Sequence, residues 1–129
     1  TSFFDSICVL KSVMLLSKNC LGGQAMKVYS DYSGGRLSIY LQGELDHHEA
    51  KQTLKTIDEL LDDYIPRDCA LNLAGLSFMD SSGIAVIIRI SRRMKTLGGR
   101  MWIEDPAHQP LKVIDTSGID RLVPVAMSR

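Results

Sequence analysis

The sequence predicts a single α/β domain: a mixed, mostly parallel sheet of four to five strands that opens with a β-hairpin and carries about three main helices. Three observations lead there. Two alternating apolar segments flank Ser33-Gly34-Gly35, the signature of a hairpin turn. Beyond them, short apolar runs alternate with stretches whose apolar residues recur every three to four positions. The length, 129 residues, suits one domain with one core.

The elements follow in order. Val28–Tyr32 and Arg36–Gly43 form the hairpin, the second arm alternating through Leu37, Ile39 and Leu41. A helix starts at Asp46 or His47 and runs to about Tyr64, with Ala50, Leu54, Ile57 and Leu61 on one stripe, and Pro66 stops it. Cys69–Leu73 reads as a short buried strand. A brief connection then leads to Asp80-Ser81-Ser82-Gly83, which opens a second helix ending at Gly98-Gly99. Met101–Ile103 is a strand, Pro106 to about Thr116 a third helix closed near Gly118, and Leu122–Val125 a last short strand. Residues 26–129 thus form the domain. Residues 1–25 read as an N-terminal extension, non-native or helical, because Phe3, Ile7, Leu10 and Met14 recur at helical spacing.

Composition narrows the function. Fifteen Lys and Arg balance fifteen Asp and Glu, so no net field favours nucleic acid or an anionic membrane. No apolar run is long enough for a membrane-spanning helix. Three scattered cysteines, Cys8, Cys20 and Cys69, suit free thiols in a reducing cytoplasm better than a disulfide framework. There is no Walker A or GxGxxG pattern, and His47, His48 and His108 lack metal-ligand spacing, so neither cofactor nor metal is expected. Ser81, an aspartate and a histidine supply the residue types of a hydrolase, but the GxSxG elbow is missing and no enzyme is expected.

The informative stretch is the strand-to-helix turn at Asp80 and Ser81. In parallel sheets the carboxyl edge is where ligands and partners meet the fold, and a helix N-terminus there tolerates negative charge. At 100° per residue, Val86, Ile87, Ile90, Met94 and Leu97 fill an apolar arc, while Ser81, Ala85, Arg89, Arg92 and Arg93 share the opposite side. Ser81 therefore opens a solvent face with a small residue one turn on, and another protein can approach its hydroxyl. Ser82 faces elsewhere, its hydroxyl suited to a backbone bond. Residues 81–100 carry Arg89, Arg92, Arg93, Lys95 and Arg100 without an acid, whereas the first helix carries Asp58, Glu59, Asp62 and Asp63. These are either two solvated faces or, for the arginines, a surface that steers an acidic partner.

Gly43-Glu44-Leu45-Asp46-His47-His48, followed by Phe78-Met79-Asp80-Ser81-Ser82-Gly83-Ile84 and later by Ser117-Gly118-Ile119, resembles the STAS domain of bacterial anti-sigma factor antagonists, from about Met26 to Ala126. Two departures stand out: Ala85 occupies a position that is commonly glycine, and residues 1–25 have no counterpart. The resemblance implies a cytoplasmic regulator of sporulation type. Its unphosphorylated form binds an anti-sigma factor that is also a serine kinase and so frees the sigma factor. Phosphorylation on Ser81 weakens that binding, and a serine phosphatase resets it. Asp46, His47, Asp80, Ser82, Gly83, Ala85 and Arg89 are the implied partner-binding residues, with no direct contact to nucleic acid or membrane. The alternative is a STAS regulatory module of another signalling or transporter assembly.

A phosphate brings roughly −1.5 to −2 charges at neutral pH. Arg89, eight residues on, lies about 12 Å along the helix axis and is too far to pair with it. The expected block is local, with little change in backbone.

Overall fold

In the computed structural model, residues 14–15 and 26–127 are described. They form one mixed sheet in simple sequential order, β1(Met14–Leu15), β2(Lys27–Ser33), β3(Arg36–Leu45), β4(Asp68–Met79), β5(Arg100–Glu104) and β6(Val125–Ala126). The first three strands are antiparallel and the rest parallel. Apart from the two-residue β1, this is the expected five-stranded sheet. Three helices, α1(His47–Tyr64), α2(Ser81–Thr96) and α3(His108–Ser117), each carry the chain from one parallel strand to the next. The crossovers all step in the same direction, so a constant hand puts the helices on one face of the sheet.

Burial agrees. Leu37, Ile39 and Leu41 of β3, with Met101 and Ile103 of β5, turn inward onto Ile57, Leu61, Val86, Ile87, Ile90 and Ile114 of the helices. The intervening residues point away from the helices, where the Arg36 guanidinium lies 5.1 Å from the ring centre of Trp102. The hairpin turns at Gly34 and Gly35, whose φ values of 59° and 84° are those a tight two-residue turn demands.

Three expectations change, and a fourth falls largely outside the described residues. The helix expected through Phe3, Ile7 and Leu10 lies outside the described residues, and its last position, Met14, is in a strand. β4 does not stop at Leu73 but continues to Met79, pairing with β3 to its end. Two register shifts, near Tyr40/Gln42 and Gly43/Glu44, place extra residues in β4. Side chains satisfy the displaced backbone: Asn72 Oδ1 accepts from the Ala74 N–H at 3.0 Å, and the Ser77 hydroxyl donates to the Gly43 carbonyl at 3.0 Å. The third helix begins at His108 rather than Pro106. Finally, the chain after Gly118 forms a 3-10 turn over Ile119–Arg121, leaving Leu122 exposed, so the last strand starts only at Val125. The Leu122 and Val123 N–H groups both bond the Ile119 carbonyl, which keeps these residues out of the sheet.

Candidate functional site

β3 and β4 finish side by side, with Leu45 opposite Met79. Each strand hands over to a helix through an aspartate. Asp46 caps α1, its Oδ1 accepting from the N–H groups of His48 at 3.0 Å and Glu49 at 3.1 Å. Asp80 caps α2, its Oδ1 accepting from the Ser82 N–H at 2.8 Å. A short oxygen-bearing side chain serves here because it reaches donors that the first helical turn leaves unpaired, and its charge suits the helix dipole. The Asp80 N–H also donates to the Leu45 carbonyl at 3.4 Å, tying one turn to the other. Two carboxylates and two helix N-termini thus crowd one point of the sheet edge. Ser81, the first residue of α2, is exposed beside them.

A third helix steadies the turn. The Gln109 side chain accepts from the Met79 N–H at 2.8 Å and donates to the Met79 carbonyl at 3.0 Å. Its amide thereby continues the ladder on the β5 side of β4, beyond the point where β5 pairing ends. Beneath the turn, Gly83 is buried, and a Cβ there would lie 2.2 Å from Met79 Cγ and 3.2 Å from Leu45 Cδ2. Of the residues that the resemblance implies for partner binding, Gly83 is thus the buried one, and its missing side chain leaves room for Met79.

α2 separates two surface grooves. One, of about 470 Å³, runs between α1 and α2 and is lined by His47, Lys51, Ser82, Ala85, Arg89 and Arg92 over an apolar floor that includes Leu54 and Val86. No carboxylate lines it. The other, of about 390 Å³, lies between α2 and α3 and holds Ser81, Ile84, Lys112, Val113, Thr116 and Ser117. The structure thus brings His47, Ser82, Ala85 and Arg89 together in the first groove, sets Asp46 and Asp80 at its strand end, and turns Ser81 to the second. It is the Ser82 N–H, not its hydroxyl, that bonds Asp80. Arg93 is not part of a free cationic face, since it pairs with Asp58 at 3.4 Å and with Asp62, joining α2 to α1. Among the described residues Arg89 and Arg92 have no ion-pair partner.

The residues that sequence reading missed, Gln109 and Lys112, sit on a helix whose relation to the turn no local pattern encodes. At the opposite end of β4 from the site, burial pushes the Cys69 thiol up to about 12.

Residues 27–129 match the STAS domain. The chain belongs to the STAS family. It is 30% identical over 100 residues to the anti-sigma F factor antagonist of Paenibacillus polymyxa, an overlap of 78% of this chain and 86% of that protein. Among solved structures it is similar to the anti-sigma factor antagonist SpoIIAA in its unphosphorylated form, with 26% identity and a TM-score of 0.68 over 79% of this chain and 88% of the other. The Bacillus cell fate determinant SpoIIAA in the phosphorylated form gives 26% identity and a TM-score of 0.62, over 79% and 91%. This STAS domain joins β3 to α1 and β4 to α2 at a shared edge. No described helix is long and apolar enough to cross a membrane.

Proposed function

We propose that this STAS domain is an anti-sigma factor antagonist, a cytoplasmic, non-enzymatic switch of sporulation type. The unmodified form binds an anti-sigma factor that is also a serine kinase, and the sigma factor is released. Asp46, His47, Asp80, Ser82, Ala85 and Arg89 form the docking surface. The names of its relatives support the role. One observation carries the assignment of the switch: an exposed serine stands first in a helix, at the meeting of two capped strand ends.

The chemistry is phosphoryl transfer. Ser81 Oγ bonds to the γ-phosphorus of ATP held by the kinase, the bond to the β-phosphate oxygen breaks, ADP leaves, and the serine proton passes to a base on the kinase. The product adds roughly −1.5 to −2 charges beside Asp46 and Asp80. The α2 N-terminus offsets part of this, by roughly 0.3–1 kcal/mol for an exposed charge, so the fold tolerates the group. What changes is the surface. A bulky dianion now stands where the partner must approach, and it repels any carboxylate that had come to the cationic groove. A serine phosphatase removes it and restores binding.

The decisive experiment measures kinase binding and phosphorylation of wild type, Ser81→Ala and Ser81→Asp. Ser81→Ala should bind and resist modification, and Ser81→Asp should bind at least tenfold more weakly, which is about 1.4 kcal/mol. Modification of Ser81→Ala at Ser82, or tight binding by Ser81→Asp, would overturn the assignment.

A further inference from the structure

Ser81 lies on the α3 side of α2. The residues lining its groove and those lining the α1–α2 groove have no member in common. Arg89 therefore lines a different groove from Ser81 as well as lying further along the helix, and Arg92 lies further still. Ser81's own groove contains one charged side chain, Lys112, set among the apolar Ile84 and Val113 and the hydroxyls of Thr116 and Ser117. Lys112 is exposed and has no ion-pair partner among the described residues, so its ammonium is free to turn toward a new anion. The Ser117 hydroxyl is already engaged, donating to the Ile114 carbonyl at 2.9 Å and accepting from the Ile119 N–H at 3.3 Å. Among the described residues that leaves the lysine as the one cation lining the groove of Ser81.

We propose that the α2–α3 groove is the seat of the phosphate and that Lys112 is its counter-ion, an inference resting on the reading of Ser81 as phosphoacceptor. The other charged groups nearby are identifiable. Asp80 precedes Ser81 and caps α2, Asp46 and Glu49 belong to the adjoining start of α1, and His47 lines the other groove. From α3, His108 and Asp115 are exposed and lie outside the groove lining. The carboxylates favour the monoanionic phosphate, whereas Lys112 and the α2 N-terminus favour the dianion. Lys112 is a positioning residue: it holds the phosphate toward α3, the helix whose Gln109 grips the backbone just before Asp80. Modification thus joins α2 to α3 through side chains alone, with the backbone and the α1–α2 groove unchanged in shape.

The test installs phosphoserine at position 81 by genetic encoding, without any kinase, and follows the phosphorus NMR shift through the second ionisation near about pH 6. Lys112→Gln should raise the midpoint by about half a pH unit at low ionic strength, the size expected of one solvated charge at close range. Lys112→Arg should restore it, Arg89→Gln should leave it unchanged, and added salt should close the gap. An unchanged midpoint in Lys112→Gln, or a rise in Arg89→Gln instead, would overturn the proposal. Either result leaves Ser81 standing as phosphoacceptor, because that role fails only if the kinase does not modify it.

Discussion

Two buried residues show how a single position governs this domain. Cys69 sits at the start of β4 between β3 and β5, fully covered, and apolar surroundings disfavour its thiolate, raising the thiol from its ordinary 9.0 to about 12. The native thiol should therefore resist alkylation at neutral pH and react only on unfolding, as a timed iodoacetamide reaction read by mass spectrometry will show. Stability follows from the same shift. Between about pH 9 and 12 the unfolded chain has lost a proton that the folded chain keeps, so stability falls as pH rises, by about 1.4 kcal/mol per unit from this group. Below that window the contribution is constant. Denaturant titrations of wild type and Cys69→Ala should show the steeper loss in wild type. Gly83 acts through space. A methyl there meets the Met79 and Leu45 side chains, so Gly83→Ala should cost about 1–3 kcal/mol in urea unfolding, despite alanine's better helix propensity.

At the scale of elements, α3 does more than cover the sheet. Replacing Gln109 by leucine strips both Met79 backbone groups of their partners in a half-buried place, with an expected loss of about 1–3 kcal/mol. Amide exchange at Met79 should quicken by more than the global loss of stability explains. Both arms of the hairpin, α1 and α2 were legible in the sequence because their apolar periods are unbroken and their caps are short polar residues at the expected places. β4 was cut short for a physical reason. Its buried residues Leu71, Leu73, Leu76 and Met79 change spacing from two to three where extra residues enter, so alternation stops being a guide although the strand continues. Likewise Gln109 and Lys112 belong to the site only through tertiary packing, while Ser81 announced itself by following a capping aspartate. The helical wheel placed Ser81 and Arg89 on one face, but α1 and α3 flank α2 from opposite sides and divide that face between two grooves.

The whole molecule separates support from exchange with partners. Both capped turns, both grooves and all three helices lie on one side of the sheet or at its carboxyl edge, and the core beneath them is continuous. A charge introduced at Ser81 therefore touches neither the core nor a buried hydrogen bond. Ser81→Asp should leave the thermal midpoint within a few degrees of wild type, since an effect of about 1 kcal/mol shifts a domain of this size by only several degrees. Backbone amide shifts should move around the starts of α1 and α2 and along α3, and stay unchanged in the hairpin.

The opposite side of the sheet carries the chain's one tryptophan, with the Arg36 guanidinium across its ring and its indole N–H donating to Glu104 at 2.9 Å. That indole is a built-in optical probe pointed away from every event at Ser81. Its emission will register loss of the native packing, yet a docking titration followed at the same wavelength will look flat until a label is added on the helical side.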